Sequence, residues 1–227
     1  MNEDQRIDLH VHSLFSDGEL LPSEILQRAA ALGYGAIAIT DHVDASNLEK
    51  IIDHLRRLVE FEHGSFPLYF APGVELTHVP PGSIARLARW AKELGAQLVV
   101  VHGETLVEPV PPGTNAAAVR CPDVDVLAHP GLITPEDVAS AKENDIFLEI
   151  TSRKGHCLSN GHVAKVAREA GVSLVVNTDT HNPEDMMDQA RARQIARAAG
   201  LTQEEVYAAT VTNPQRAMAR ALQLEKI

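Results

Sequence analysis

Histidine and carboxylate side chains recur in this sequence directly after short apolar runs. In chain order the segments read Asp8-Leu9-His10-Val11-His12, Thr40-Asp41-His42, Gly73-Val74-Glu75, Val101-His102-Gly103, Ala128-His129-Pro130, Leu148-Glu149-Ile150 and Thr178-Asp179-Thr180-His181. Six of the eleven histidines lie in these segments, and Asp17 follows the first of them in the turn Ser16-Asp17-Gly18. Imidazole and carboxylate groups without thiolates suit zinc, manganese or iron. The pattern therefore predicts a metal site.

The number of candidate ligands predicts more than one ion. The candidates are His10, His12, Asp17, His42, Glu75, His102, His129, Asp179 and His181. A catalytic zinc ion takes about three protein ligands and keeps one position open, so this set predicts two or three ions with a shared carboxylate. Two ions roughly 3.5–4 Å apart can share a hydroxide and clamp both ends of an in-line displacement at phosphorus. The alternative, a metal-free cluster of buried histidines, would leave polar groups without partners.

The apolar runs before these groups are predicted strands. They are Ile7–Val11, Ala36–Thr40, Leu68–Val74, Ala96–Val101, Val124–Ala128, Ile146–Ile150 and Ser173–Asn177. Near-continuous apolar runs are typical of parallel strands buried on both faces. In the first run, the two-residue period of a strand predicts Asp8, His10 and His12 on one face, with Ile7, Leu9 and Val11 facing the helices.

Helix signals lie between the strands. The spacing predicts helices over Ser23–Leu32, Ile84–Leu94, Val138–Asn144 and His162–Ala170, with further starts at Asn182-Pro183, at Thr202 with Glu205, and at Asn213-Pro214. Strands that alternate with helices favour parallel pairing, in an open sheet or a closed barrel. Only a barrel gathers the ends of all its strands around one point. We therefore predict an α/β barrel that forms one domain over residues 1–227.

The amino-acid composition argues against several classes of protein. A formal net charge of −11 argues against sequence-independent binding to nucleic acid. Two cysteines, Cys121 and Cys157, do not make a disulfide scaffold, and we expect free thiols. The first residues lack the basic and apolar regions of a signal peptide, and no apolar run approaches the ~20 residues that span a bilayer. These features predict a soluble, cytoplasmic protein without a membrane partner.

The ordered motifs resemble those of the PHP (polymerase and histidinol phosphatase) superfamily over roughly residues 6–220. The resemblance implies a distorted (β/α)7 TIM-like barrel and a metal-dependent phosphoesterase similar to histidinol phosphatase. It implies one ion on His10, His12, Glu75 and Asp179, and a second on Asp17, His42 and His181. His102 and His129 would bind a third, with Glu75 bridging. Asp17, Glu75, His181 and Arg153 are the predicted catalytic residues.

The loop after the sixth strand carries the predicted substrate contacts. Arg153 could hold a phosphate with its planar guanidinium, Lys154 could add a point charge, and His156 could protonate a leaving oxygen. The alternative is a solvated loop. Glu149 lies either in the barrel interior or behind a ligand, and the proline-rich loop Glu104–Thr114 is expected to shape the pocket. Exposed or capping roles are predicted for His54, His63, His78 and His162.

We consider four alternative functions for this site. The favoured one is hydrolysis of a phosphate monoester of a small metabolite, such as histidinol phosphate, by a metal-bridging hydroxide. The main alternative is a phosphoesterase for nucleotides or oligonucleotides, with nucleic acid bound only as substrate. A non-catalytic RNA-binding barrel predicts missing ligands and a basic surface, and neither is found in the sequence. Amidohydrolase-like C–N hydrolysis would typically add a metal-binding lysine at a strand end, and none of the seven ends carries one.

Overall fold

The computed structural model of the chain describes residues 5–62 and 64–224, and His63 lies outside them. In this part of the chain, helices surround a curved sheet of parallel strands. The strands are β1 (Arg6–Asp8), β2 (Tyr34–Ile39), β3 (His42–Val43), β4 (Tyr69–Leu76), β5 (Leu98–His102), β6 (Val126–Ala128), β7 (Phe147–Thr151) and β8 (Leu174–Asn177). The helices are α1 (Pro22–Ala31), α2 (Leu48–Glu62), α3 (Ile84–Leu94), α4 (Thr114–Val119), α5 (Pro135–Glu143), α6 (Asn160–Ala170), α7 (Gln189–Ala198), α8 (Gln203–Tyr207) and α9 (Asn213–Ala221).

The strands follow one another around a nearly closed barrel. Their order is β1-β2-β4-β5-β6-β7-β8, and every pair is parallel. The short β3 continues the path of β2, since both pair with β4 on either side of Thr40-Asp41. A bridge between Val11 and Thr180 brings the chain after β1 beside the chain after β8. The predicted seven-stranded α/β barrel is confirmed, because each predicted run forms one position of this path.

Two apolar layers hold the barrel together. The outer layer joins one face of the strands, including Ile37, Val74 and Val99, to the buried faces of the helices. The inner layer fills the barrel with aliphatic residues, including Ala36, Leu98 and Val100, and with Phe147. Met218 of α9 joins this inner layer, so that α9 closes the end of the barrel where the strands begin. The opposite end, where the strands finish, stays open for polar side chains.

The predicted face assignment of the first strand is wrong. Ile7 and Leu9 pack in the inner layer and only Val11 faces the helices. Asp8 pairs with buried Arg6, whose Nη2 lies 3.1 Å from Asp8 Oδ2. The regular strand ends at Asp8, and the amide of Leu9 donates to the Asn177 side chain instead of to a strand neighbour. The two-residue alternation is therefore interrupted before His10, and His10 and His12 still reach the open end.

Local capping explains several of the helix ends. Thr134 caps α5 by accepting from the Asp137 amide, and Thr202 with Glu205 forms the predicted capping box of α8. Asn182 and Pro183 begin only a single 3-10 turn, Pro183–Asp185, and the predicted helix there begins later, at Gln189. Asn182 and Asp185 form a capping box at the start of this turn, and the turn ends at Met186, which is extended.

Two further findings concern thiols and membranes. Cys121 and Cys157 are free, as predicted. Among the residues that the structure describes, no helix combines the length and the apolar character needed to cross a bilayer.

Candidate metal centre

The nine predicted ligands meet at the open end of the barrel. Each follows or ends a strand: His10, His12 and Asp17 after β1, His42 in β3, Glu75 in β4, His102 at the end of β5, His129 after β6, and Asp179 and His181 after β8. Asp17 is exposed, His42 and His181 are partly buried, and the other six are buried. Parallel strands that end on one rim bring together side chains that are far apart in sequence.

The most buried group contains His10, His12, Glu75 and Asp179. His10 Nε2 lies 3.0 Å from His12 Nε2 and 3.3 Å from Glu75 Oε1. His12 Nε2 lies 3.2 Å from Asp179 Oδ1. Asp179 has a positive φ of 54°, a left-handed conformation that is uncommon outside glycine and that clusters at functional sites.

A second group faces solvent on one side of the first. Asp17 Oδ1 lies 3.5 Å from His42 Nε2, and Asp17 Oδ2 lies 3.3 Å from His181 Nε2. One ligand atom from each of these three residues and from His12 lies within 4.8 Å of the others. This arrangement is compact enough for one ion.

A third group lies on the other side and shares Glu75. One ligand atom each from Glu75, His102 and His129 lies within 4.8 Å of the others, and Glu75 Oε1 is 3.7 Å from His129 Nε2. Because the other oxygen of Glu75 lies 2.6 Å from His42 Nδ1, this carboxylate stands between all three groups.

The donor set fits divalent cations. At 3.0 Å, the two facing Nε2 atoms of His10 and His12 repel unless a proton or a cation lies between their lone pairs. Within the described part of the chain, buried Glu75 Oε1 accepts no hydrogen bond. A buried oxygen of this kind is costly unless it has a partner, which a metal ion would provide.

The electrostatics of the cluster favour the ligand forms of His12, His129 and Glu75. Against the effect of burial, neighbouring carboxylates raise the pKa values of His10, His42 and His102. Burial and the nearby imidazole of His42 hold the pKa of His12 well below its usual value, and burial with His102 does the same to the pKa of His129. Burial alone would raise the pKa of Glu75, but His10 and His42 outweigh it and hold that pKa low. Burial raises the pKa of Asp179 to about 7, against the opposing effect of His10. Near neutral pH the lone pairs of His12 and His129 are therefore available.

Comparison with known proteins agrees with this geometry. A model of the PHP domain matches residues 8–96. A probable phosphatase of Shewanella pealeana is 31% identical over 214 residues, which cover 83% of this chain and 82% of the relative. An uncharacterized protein of Methanocaldococcus jannaschii is 49% identical over 216 residues, which cover 95% of this chain and 99% of the relative.

The chain belongs to the PHP domain family.

One further relative and one solved structure are also similar to this chain. Ribonuclease P protein component 3 of Methanosarcina barkeri is 27% identical over 236 residues, which cover 97% of this chain and 91% of the relative. Histidinol phosphate phosphatase of Lactococcus lactis, solved with zinc, L-histidinol and phosphate, is similar at a TM-score of 0.59 and 17% identity. That similarity covers 87% of this chain and 95% of the other, and it supports the same barrel fold.

Other buried polar groups of the PHP domain hold its candidate ligands in position. Glu149 Oε2 lies 2.8 Å from His10 Nδ1 and accepts from Asn177, so Glu149 stands behind a candidate ligand. Asp41 accepts from the Ser13 amide and from the hydroxyls of Ser13 and Ser16, which fixes the turn that carries Asp17. In that turn, a Cβ on Gly18 would come within 2.4 Å of the His12 carbonyl oxygen, so glycine is required.

The predicted substrate contacts lie in the loop after β7. Arg153 Nη1 donates to Asp185 Oδ2 at 2.8 Å, and Asp185 also accepts from the His181 amide, so the guanidinium is fixed close to the second group. Lys154 is exposed. His156 is buried, with Nδ1 at 2.8 Å from Thr105 Oγ1 and Nε2 at 3.4 Å from Glu108 Oε1.

Two residues at the cluster were not predicted as part of it. Glu108 comes from the loop between β5 and α4, and its Oε2 lies 3.0 Å from His102 Nε2. His78, for which an exposed or capping role was predicted, contacts the same oxygen at 3.2 Å. The hydrogen bond with His102 lowers the pKa of Glu108 to about 2. His78 follows β4 by two residues, but no apolar run directly precedes it, and Glu108 lies in the loop Glu104–Thr114, for which only a role in shaping the pocket was predicted. His54 and His162 lie away from the cluster, against Phe15 and the Ile133 carbonyl.

Proposed function

We propose that this PHP domain is a metal-dependent phosphoesterase that hydrolyses phosphate monoesters of small metabolites. We further propose that the nine side chains named above bind two or three divalent ions of zinc, manganese or iron. The observation that carries the proposal is the set of three neighbouring groups of imidazole and carboxylate ligand atoms, with Glu75 beside a member of each group. Ions bound there would acidify a water molecule and neutralise charge on the phosphoryl oxygens.

The residues around the cluster support an assignment of roles. Arg153 has five N–H groups, so its bond to Asp185 leaves it able to bind a phosphate oxygen next to His181. Asp17, Glu75 and His181 would orient the reacting groups. His156 Nε2 faces Glu108, and this pair could supply a proton to a leaving oxygen. Lys154 would add positive charge at the rim.

The same site could act on nucleotides or short oligonucleotides. The ribonuclease P relative keeps this alternative open, and also that of an RNA-binding barrel without activity. The net charge of −11 favours a small substrate over a long polyanion. A panel that contains phosphorylated metabolites, mononucleotides and short oligonucleotides with 3′ or 5′ phosphates separates these alternatives by their relative kcat/KM.

Elemental analysis of the purified protein, paired with a p-nitrophenyl phosphate assay, tests the proposal. We expect two to three equivalents of zinc, manganese or iron and turnover that a chelator abolishes. The double variant His10→Ala, His12→Ala should lose at least one equivalent of metal and more than about 100-fold in turnover. Removal of a residue that only hydrogen-bonds a metal ligand already lowers metal affinity or activity by roughly 10–100-fold. A wild-type protein that binds less than one equivalent, cannot be reloaded and has no turnover would instead indicate a scaffold.

A further inference from the structure

One carboxylate at the rim of the barrel contacts three imidazoles. Besides His102 and His78, the Glu108 side chain reaches His156, whose Nε2 lies 3.4 Å from Oε1. All three contacts use Nε2 of the imidazole. The Glu108 side chain is 39% exposed, so this group faces solvent, in contrast to the buried groups around Glu75.

The orientation of His102 directs its Nε2 atom towards Glu108. His102 Nδ1 lies 3.2 Å from the Gly103 carbonyl oxygen, which can only accept a hydrogen bond. In the neutral imidazole the proton is therefore on Nδ1, and Nε2 presents a lone pair to the carboxylate. Two acceptors 3.0 Å apart need a cation or a second proton between them.

The spacing of the three groups fits a cation. One ligand atom each from His78, His102 and Glu108 lies within 4.8 Å of the others. Glu108 Oε2 is 3.2 Å from His78 Nε2. Ligand atoms about 2.0–2.2 Å from a tetrahedral zinc ion lie roughly 3.3–3.6 Å from one another, so only small shifts are needed.

The loop that carries Glu108 is fixed at its base. Glu104 Oε1 accepts from the amides of Gly113 and Asn115, and Asn115 donates to the Pro130 carbonyl. A Cβ on Gly155 would meet the Val107 side chain at 3.3 Å, so the loop also lies against the segment after β7. Glu108 is thus held over His102 by the architecture of its loop.

His102 Nε2 has one lone pair and can bind one ion. The same imidazole belongs to the inner group with Glu75 and His129. We infer that the ion held at His102 takes Glu108, and at its outer side His78, as additional protein ligands supplied by the rim of the barrel. Retention of this ion is then coupled to the position of the loop that carries Glu108. The inference rests on the proposed metal centre and concerns one of its ions.

Chelator competition on the intact, zinc-loaded protein tests the inference. For Glu108→Gln we expect one equivalent to bind at least about 10-fold more weakly, while the other equivalents keep their affinity. His78→Ala should weaken the same equivalent to a smaller extent. The matched control is Glu184→Gln, which removes a negative charge from an exposed glutamate three residues after His181 and should leave all affinities unchanged.

A second readout reports coordination directly. With cobalt in place of zinc, Glu108→Gln should alter the visible absorption of one equivalent, and the control should match the wild type. Wild-type affinities and an unchanged cobalt spectrum in Glu108→Gln would overturn the inference and leave the proposed function intact. Equal weakening in Glu184→Gln would also overturn it, because general charge would then explain the effect. A wild-type protein that binds no metal would overturn the proposed function itself.

Discussion

At the scale of single residues, four of the six candidate histidine ligands have a partner at their other nitrogen, whereas Nδ1 of His12 and of His129 has none among the described residues. The partners of the Nδ1 atoms are Glu149 for His10, Thr77 and Glu75 for His42, the Gly103 carbonyl for His102 and the Asp179 carbonyl for His181. A partner at Nδ1 fixes both the tautomer and the direction of the ring. The Nε2 atoms therefore point to the common centre.

Glu149 gives the clearest test of this orientation. Glu149→Gln keeps the shape of the side chain but removes the charge behind the ring of His10. We expect metal affinity to fall by about 10–100-fold with the fold retained. Metal titration with circular dichroism checks this, and Glu143→Gln on exposed helix surface is the control. Wild-type affinity in Glu149→Gln would mean that packing alone orients His10.

Arg153 gives a test of substrate binding. A charge-assisted hydrogen bond to phosphate is worth roughly 1.5–3 kcal/mol, so Arg153→Ala should lower kcat/KM by about 10–100-fold. Lys154→Ala, next to it on the exposed side of the same loop, should have a smaller effect. Steady-state kinetics with metal analysis separates loss of substrate binding from loss of an ion near Asp185. Unchanged KM and kcat in Arg153→Ala would remove the proposed phosphate contact.

At the scale of elements, short polar contacts set where helices and turns begin. Glu205 illustrates this, since it accepts from the Thr202 amide at the start of α8 and from Arg168 of α6 at 2.7 Å. One side chain thus caps one helix and joins it to another. Asp41 has a comparable role in the turn that carries Asp17.

The lowered pKa of Glu205 also leads us to expect that the stability of the protein depends on pH. The hydrogen bond from Arg168 lowers the pKa of Glu205 from 4.5 to about 2 in the folded protein. A lowered pKa stabilises the folded state above pH 4.5, and this contribution disappears as the pH falls towards 2. The difference in unfolding free energy between wild type and Glu205→Gln should therefore shrink over that range in urea titrations. Glu204→Gln, at the neighbouring exposed position, should show no such trend.

At the scale of the whole molecule, the two ends of the barrel are lined by different kinds of residue. The open end gathers the polar cluster, and α9 closes the other end with Met218 inside the barrel. Arg216 and Arg220 of α9 lie over the ring of Phe147, with Cζ atoms 4.7 and 5.4 Å from its centroid. We therefore expect stability and metal binding to depend on different sets of residues.

Met218 tests this separation. Met218 is fully buried, so Met218→Ala should lower the free energy of unfolding by about 2–5 kcal/mol through lost contacts and a cavity. Met218→Leu, of similar volume, should cost less than about 1.5 kcal/mol. Metal content of both folded variants should equal that of the wild type. Loss of metal in folded Met218→Ala would show that the two ends are coupled.

Local patterns along the chain predict both the barrel and the meeting point of the polar residues. Buried parallel strands are continuous apolar runs, and the group that follows each run lies at the carboxyl end of a strand. The order of apolar runs and polar residues along the chain is sufficient to predict the meeting point, because the carboxyl ends of the parallel strands of a barrel lie on one rim. The ends of Ile84–Leu94 and the capping box at Thr202 were also readable from local signals.

Which atoms face one another depends on contacts between distant parts of the fold. Ile7 and Leu9 pack in the inner layer, and the Leu9 amide donates to Asn177, a residue of the last strand. Asp185, which completes the capping box of the short turn after Asn182, is bound by Arg153 from another loop. Glu108 meets His102 and His78 because its loop folds back over the rim. Each of these depends on contacts between distant parts of the chain, which periodicity and local spacing do not encode.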